Sequence, residues 1–489
     1  MIGWLRTVLL GRRGTTSTTG VLGRRIRHVI RARYDAAVTT DENRRHWANA
    51  DGLSADAAAS PEVRRLLRNR ARYEVANNSY AKGIVLTLAN DVIGTGPRLQ
   101  MLTEAPEVNQ RIEREFGRWA KAIGLAEKLR TMRMARATDG EAFAILASNP
   151  RLPVPVKLDV RLIEADQVTT PDLSILEPNA IDGIVFDELG NPVEYHVLKV
   201  HPGDTRAGAG LGFDYDRLPA ESVIHYFRVD RPGQSRGIPD ITPALPLFAQ
   251  LRRYTLAVIA AAETAADFAA VLYSDAPPDS DDEQQPEPMD MIELEQRMAT
   301  VLPNGWKLGQ VQAEQPATTY AEFKKEILNE IARCLNMPFN IAAANSSAYN
   351  YASWRMDHQT YFKSIRVEQE HLEDVVLDRI LAAWISEAVL VEGLLPQPAR
   401  TRDAEFPHQW FWDGHEHVDP AKEATAQAVR LASHTTTLAA EYARVGRDWE
   451  SELRQRAKEV ALMAELGLIP QQAIPTEEID DANPEKTGE

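Results

Sequence analysis

The stretch from Ile241 to Trp384 constrains the chain most, because it strings helical patterns around two loops of different character. Pro243 and Pro246 lead into an Ala- and Leu-rich run from Leu247 to Leu272. Proline is tolerated in a first helical turn, so a helix of roughly 39 Å is predicted, at about 1.5 Å per residue. Asp275 to Glu295 then holds nine acids and no base. Phe323, Ile327, Ile331 and Leu335 recur every four residues, which predicts a second helix from Tyr320 to Leu335, stopped by Pro338. After the polar segment Asn345–Tyr351, a third helical pattern runs to about Ala388. Two helices flanking a loop, then a short loop feeding a long helix, suggest a device built from rods rather than a chain folded around a pocket.

The length of 489 residues sets a prior of about three domains. A hydrophobic share of 44% is enough for a sizeable core. The net charge of −16 argues against a tight, sequence-independent grip on DNA, which depends on Lys and Arg neutralising phosphates. It leaves open a surface past which DNA slides. With Cys334 as its one cysteine, the chain has no intramolecular disulfide framework, and a buried free thiol is expected. No apolar run reaches the roughly 18 residues of a membrane span. Residues 1–34 carry eight Arg and no acid, which reads as a basic disordered arm or as one that touches nucleic acid or a partner.

Helices are predicted at Pro61–Ala76, Tyr80–Ile93, Glu107–Ile123 and Glu127–Thr138. The first has a basic face of Arg64, Arg65, Arg68 and Arg72, with Val63, Leu66, Leu67 and Val75 as its apolar surface. Asn77-Asn78-Ser79 breaks it and caps the second, and Gly94-Thr95-Gly96-Pro97 stops the second. Phe116 and Trp119 are expected core anchors. The period then changes, and strands are predicted at Ala142–Ala147, Asp159–Ile163, Ile181–Phe186, Val193–Val200 and Ser222–Phe227. Glu188–Pro192 is a hairpin turn. Gly203–Gly212 lacks the Gly-Lys-Ser/Thr of a phosphate cradle and reads as a loop. Beyond the Pro-containing connector Glu392–Pro407 and the aromatic Phe406–Trp412, short helices follow Asp419-Pro420, with breaks at Gly446 and Gly467. The tail from Thr476 holds six acids and one Lys and should be disordered.

Chemistry is sparse. The chain has no G-x-S-x-G, no Walker A sequence and no H-E-x-x-H. His408, Asp413, His415, Glu416, His417 and Asp419 form the densest set of metal-ligand types, at a spacing matching no zinc signature. They make either a polar turn or the metal site of an α+β enzyme. Asp139-Gly140-Glu141 reads as a turn or as paired acids. Trp306, Trp354, Trp384, Trp410 and Trp412 suit core packing, with base stacking as the other reading. A third possibility is a helical scaffold without DNA contact.

An ordered series of stretches resembles the lambda-like family of tailed-bacteriophage portal proteins. It begins at Arg44-Arg45-His46-Trp47 and continues through LRNRARYEVANNSYAKGIVLTLANDVIGTGPRLQ (Leu67–Gln100). DGIVFDELGNPVEYHV (Asp182–Val197), RPGQSRGIPDITPAL (Arg231–Leu245) and WFWDGHEHVDPAKEATAQAVRLASHTTTLAAEYARVGRDWE (Trp410–Glu450) follow. The resemblance implies a predominantly helical α+β portal fold with wing, stem, clip, tunnel loop and crown. It places a basic arm at 1–33 and a wing at 34–240, helices first and then a β-rich part. The first stem helix falls at 241–272, a clip with the acidic loop at 273–319 and the second stem helix at 320–342. The tunnel loop then spans 343–353, the long helix and wing return 354–419, the crown 420–467 and an acidic tail 468–489.

That family implies a head–tail connector of the virion, a ring usually of twelve subunits at one capsid vertex, assembled in the bacterial cytoplasm. Double-stranded DNA passes through the ring during packaging and ejection. Expected partners are the terminase large subunit, the head–tail adaptor and the major capsid protein or scaffold, with no membrane, cofactor, metal or catalytic residue. In the tunnel loop, Ser346, Ser347, Tyr349, Asn350 and Tyr351 would face DNA, with Arg355 and Lys363 as additional contacts. In the clip, Asp281, Asp282 and Glu283 would lie where the motor docks. An acidic channel suits this role, because it repels phosphate and keeps sliding easy.

Overall fold

The computed structural model describes residues 37, 38, 40–170, 179–204, 214–267, 271–274, 306–309, 319–347, 349–395, 406–414 and 420–468. The arm 1–33, the acidic segment around Asp281, the cluster from His415 to Asp419 and the tail from 469 lie outside the described residues. The chain divides into two units, Met1–Ala58 and Ala59–Glu489. The first contains the one-turn helix α1 (Ala55–Ala58).

The second unit opens with α2 (Pro61–Asn77), which starts on Pro61 with Ser60 accepting from the Val63 amide. Asn78 then caps α3 (Ser79–Ile93) by accepting from the Tyr80 and Ala81 amides, as the sequence predicts. After β1 (Arg98–Met101) come α4 (Pro106–Ala122) and α5 (Leu125–Asp139). A three-stranded antiparallel sheet follows, with β2 (Glu141–Ser148) between β3 (Leu158–Ile163) and β8 (Val223–Phe227). A four-stranded sheet runs β4 (Ala180–Ile181), β5 (Ile184–Phe186), β6 (Pro192–Leu198), β7 (Tyr215–Pro219) in order.

The predicted strand Ile181–Phe186 is therefore two short strands around a tight turn. Asp182 and Gly183 both take positive φ there, and a Cβ on Gly183 would lie 2.6 Å from the Thr169 amide nitrogen. The alternation of apolar residues is too short to reveal a reversal inside it.

The rods come next. Helix α6 (Leu245–Asp267) pairs with α7 (Tyr320–Arg333) through Tyr254, whose ring lies 5.7 Å from Tyr320 and 4.8 Å from Phe323. The first rod ends before the predicted Leu272. Val271–Ser274 (β9) is instead a strand, paired antiparallel with β10 (Trp306–Gly309). Val, Leu and Tyr continue an apolar run but also have strand preference, and pairing across the loop decides between the two. After α8 (Phe339–Ala342), the long helix runs as α9 (Tyr351–Leu372), a π turn at Glu373–Leu377, and α10 (Asp378–Leu390). Strand β11 (His408–Phe411) returns to β1, pairing Leu99 with Trp410. The chain finishes with α11 (Pro420–Ala432), α12 (Leu438–Arg444) and α13 (Trp449–Glu465), the last capped by Asp448.

One core joins the helices to the inner sheet. Phe116 lies 5.4 Å from Trp384 and 5.7 Å from Trp410, and Trp119 donates to the Leu158 carbonyl at 2.8 Å. A smaller core of Phe143, Ile145, Tyr195, Val197 and Val223 lies between the two sheets. Among the described residues, no helix is long and apolar enough to cross a membrane.

Helix α2 departs from its predicted packing at two arginines and two apolar residues, while Leu67 and Val75 pack against the core as expected. Arg64 and Arg68 are 1% and 4% exposed, whereas Val63 and Leu66 are 40% and 50% exposed. Charged side chains enter an interior only with partners, and Asp182, Asp166 and Glu141 meet these two there.

Candidate functional site

The loop between the second rod and the long helix is built by short-range hydrogen bonds. Helix α7 ends on Asn336, whose φ of +53° is a conformation asparagine tolerates, with the Met337 amide bonded to the Ala332 carbonyl at 3.1 Å. Pro338 starts α8, and Ala344, also at positive φ, ends it, with the Asn345 amide donating to the Asn340 carbonyl at 3.0 Å. Asn345 Oδ1 accepts from the Ser347 amide at 3.0 Å. The Tyr349 amide donates to the Ser346 carbonyl at 3.1 Å. Asn350 caps α9 by accepting from the Ser353 amide at 2.9 Å.

The predicted site residues therefore separate by role. Asn350 is committed to its helix. Tyr349 is half-buried, and burial, then the Asp357 carboxylate, push its phenol up from the ordinary value. Ser346 and Ser347 are exposed. Arg355, in the second turn of α9, and Lys363 are exposed too, on the same side of the helix. The side chain of Tyr351 and all of Asp281, Asp282 and Glu283 lie outside the described residues.

The base of the loop rests on residues that the sequence reading did not single out. Asn340 is 5% exposed and His358 is 8% exposed, with Asn340 Nδ2 at 3.1 Å from His358 Nε2. Trp354 lies over the His358 ring at 4.1 Å between centroids. Farther along α9, Tyr361 donates to Asp91 at 2.7 Å and Gln369 to the Val92 carbonyl at 2.9 Å, which ties the helix to α3.

Two buried ionic ties hold the connector from β8 into the first rod. At the first, Arg236 donates from Nε to Glu141 Oε2 at 2.9 Å and from Nη2 to Oε1 at 2.6 Å. His225 Nε2 lies 3.0 Å from the same carboxylate, and the Gly237 amide donates to it at 3.0 Å. Burial alone would push the Glu141 carboxyl up. The Arg236 guanidinium and the hydrogen bonds outweigh that and hold it well below the usual range. Arg64 pairs with Asp182, while Arg68 reaches Asp166 at 2.7 Å and Glu141 at 3.5 Å. At the second tie, Asp240 meets Arg133 at 3.0 Å and Arg228 at 3.0 Å. Arg133 also pairs with Glu368 of α9, to which Tyr226 donates at 3.0 Å. The paired-acid reading of Asp139-Gly140-Glu141 thus resolves into two arginine partnerships, since Asp139 accepts from Arg72 at 2.7 Å.

The His408 cluster does not converge where it is described. His408 Nε2 lies 3.1 Å from Asp378, whereas Asp413 accepts from the Thr95 hydroxyl at 2.8 Å. Among the described residues, Glu164, Asp166 and His201 bring ligand atoms within 4.8 Å of one another. Arg72 already supplies positive charge there, at 3.1 Å from Glu164 and 2.8 Å from Asp166. Trp384 and Trp410 are core residues, 0% and 8% exposed. Trp412 is partly buried and donates to Glu373 at 2.5 Å. Cys334 is half-buried, and burial pushes its thiol up to about 11.

The sequence model of the family described as "Phage portal protein, lambda family" matches residues 41–369. A curated "Probable portal protein" of Halomonas phage phiHAP-1 is 26% identical over 428 residues, covering 82% of this chain and 81% of that one. A solved chain from the virion of a native gene transfer agent particle overlays with a TM-score of 0.44 at 12% identity, covering 83% of this chain and 99% of that chain. A portal protein of the HK97 family from Corynebacterium diphtheriae overlays with a TM-score of 0.30 at 13% identity, covering 73% of this chain and 97% of that chain. Both scores are below one half, so the assignment rests on the sequence matches. With two thirds of its length inside the family model, this chain belongs to the lambda family of phage portal proteins.

Proposed function

We propose that copies of this chain form a ring around a channel for double-stranded DNA at one vertex of the virion, with Ser346 and Ser347 facing the duplex. Family membership supports the role, and the character of the loop supports the surface. Both serines are exposed, and Asn345 and Asn350 spend their side-chain oxygens on the backbone, holding the loop in shape. Hydroxyls offer phosphate hydrogen bonds without fixed charge, so contacts form and break as DNA moves. Arg355 adds one long-range attraction near the loop, in a chain whose net charge is −16. Lys363 lies about 12 Å farther along the helix, away from the loop.

In this reading the chain acts as a conduit and docking platform rather than an enzyme. The acidic excursion with Asp281, Asp282 and Glu283 is the surface for the terminase large subunit and then the head–tail adaptor, and the wing meets the capsid protein or scaffold. A twelvefold ring of 54.5-kDa chains would weigh about 650 kDa.

The exposed serines carry the DNA-facing assignment and define its test. The pair Ser346→Ala and Ser347→Ala removes those hydroxyls and should leave rings intact and lower the DNA content of heads. Full heads from that variant would overturn the assignment. Deleting Asp279–Pro288 should weaken binding of the motor and the adaptor. Undiminished binding of both would remove the clip reading.

A further inference from the structure

Helices α7 and α9 each expose a stripe of charge that finds no ion pair among the described residues. On α7 the stripe is Glu322, Glu326, Glu330 and Arg333, all exposed. At about 100° per residue these four positions fall within roughly 80° of one another. On α9 the exposed stripe is Gln359, Lys363, Arg366 and Glu370, within roughly 60°. Both stripes span about 16.5 Å. Read from N- to C-terminus, one is acid, acid, acid, base and the other neutral, base, base, acid.

We infer that α9 of one copy lies parallel to α7 of the next copy, setting Lys363 against Glu326, Arg366 against Glu330 and Glu370 against Arg333. This proposal rests on the ring reading above and names the surface that closes the ring. Parallel alignment sets unlike charges opposite each other at three positions and like charges nowhere. Antiparallel alignment would set Glu370 against Glu322. The parallel match includes the sign reversal at the C-terminal end of both stripes, which a merely acidic or merely basic face would lack. Apolar neighbours flank the charges: Phe323 is 46% exposed and Val367 is 61% exposed. DNA would not suit this part of α9, because Glu370 ends the stripe and Val367 has no partner on a phosphate backbone.

The two stripes lie on different helices, and in a ring each copy turns one of them to each neighbour, so the contact is heterologous. Each copy offers a donor face and an acceptor face, and repetition of that contact closes a ring when the rotation allows. Arg355 precedes the matched stretch and stays with the loop.

Charge reversal tests the pairing, with particle mass as the readout. Lys363→Glu with Arg366→Glu in one chain should abolish rings, as should Glu326→Lys with Glu330→Lys in another. All four positions are exposed, so each variant should keep its helical circular dichroism and melting temperature, which separates lost assembly from lost folding. Mixing the two variants should restore a ring of alternating copies, because each new face then meets its complement. Putting all four changes in one chain should restore it as well.

Rings from either single-face variant would overturn the proposal and leave the ring reading standing. So would loss of rings that neither the mixture nor the four-site chain repairs. A wild-type chain that stays single at every concentration and salt level would overturn the ring reading, and this pairing with it.

Discussion

Arginines on α2 and bases on α9 recur at similar helical spacing and have opposite fates. Arg64 and Arg68 point inward, nearly sealed from solvent, and pair with Asp182, Asp166 and Glu141. Lys363 and Arg366 point outward with no ion pair among the described residues. A buried guanidinium is held by the cost of leaving it unpaired, so it locks local geometry. An exposed base contributes little to the stability of its own chain and is free for another molecule. The first region ties α2 to β2 and to the turn at Asp182, and the second is where assembly and DNA contact are proposed.

The largest effect should come from the sealed region. Glu141→Ala leaves the buried Arg236 with Asp182, at 3.1 Å, as its remaining carboxylate and should cost about 3–5 kcal/mol in denaturant unfolding. A loss below about 1 kcal/mol would place the Arg236 tie on a par with a surface pair. Gly140→Ala strikes the same joint through the backbone. Gly140 has φ of +92°, and an added Cβ would lie 2.6 Å from the Ile238 carbonyl carbon, so a loss above about 1 kcal/mol is expected from the melting curve.

Glu113 lies between the two extremes. It is half-buried, accepts from the Met101 amide at 2.7 Å and has Asp448 and Glu450 as neighbours. Burial, then those acids, push its carboxyl up to about 7. The folded chain therefore holds this proton more tightly than the unfolded chain, so stability falls as pH rises from about 4.5 through 7. Glu113→Gln keeps the acceptor and removes the titration. It should stabilise by on the order of 1 kcal/mol at pH 8, after discounting for solvent screening, and by almost nothing at pH 4. Equal effects at the two pH values would contradict this.

The smallest effects should fall on the exposed stripes. Arg355→Ala and Leu66→Ala should each shift single-chain stability by less than about 0.5 kcal/mol. For Arg355 the change should appear instead in DNA retention by heads. A cost for Leu66→Ala as large as a core truncation would show that α2 covers its apolar face.

Much of the scaffold was legible in the residues. The cap at Asn78, the stop at Gly94–Pro97, the hairpin after Phe186, the second rod and the long helix all follow local rules. Those signals act between residues a few positions apart, and one chain carries them in full. Less was legible where distant segments pair. The predicted first rod runs into the first two residues of β9 because the partner of that strand lies beyond the acidic loop, and β11 is only an aromatic segment until β1 lies beside it. Arg236 and Asp240 were visible as part of a family stretch, yet their partners come from β2 and α5, about a hundred residues upstream.

By itself the sequence determined that this chain is a series of rods around a polar loop and an acidic one. Period, caps and breakers act locally and need no partner. Which face of α2 turns inward, and which bases of α9 find no ion pair among the described residues, only the tertiary structure decided. A charge is buried where distant carboxylates converge to meet it, and left at the surface where none do.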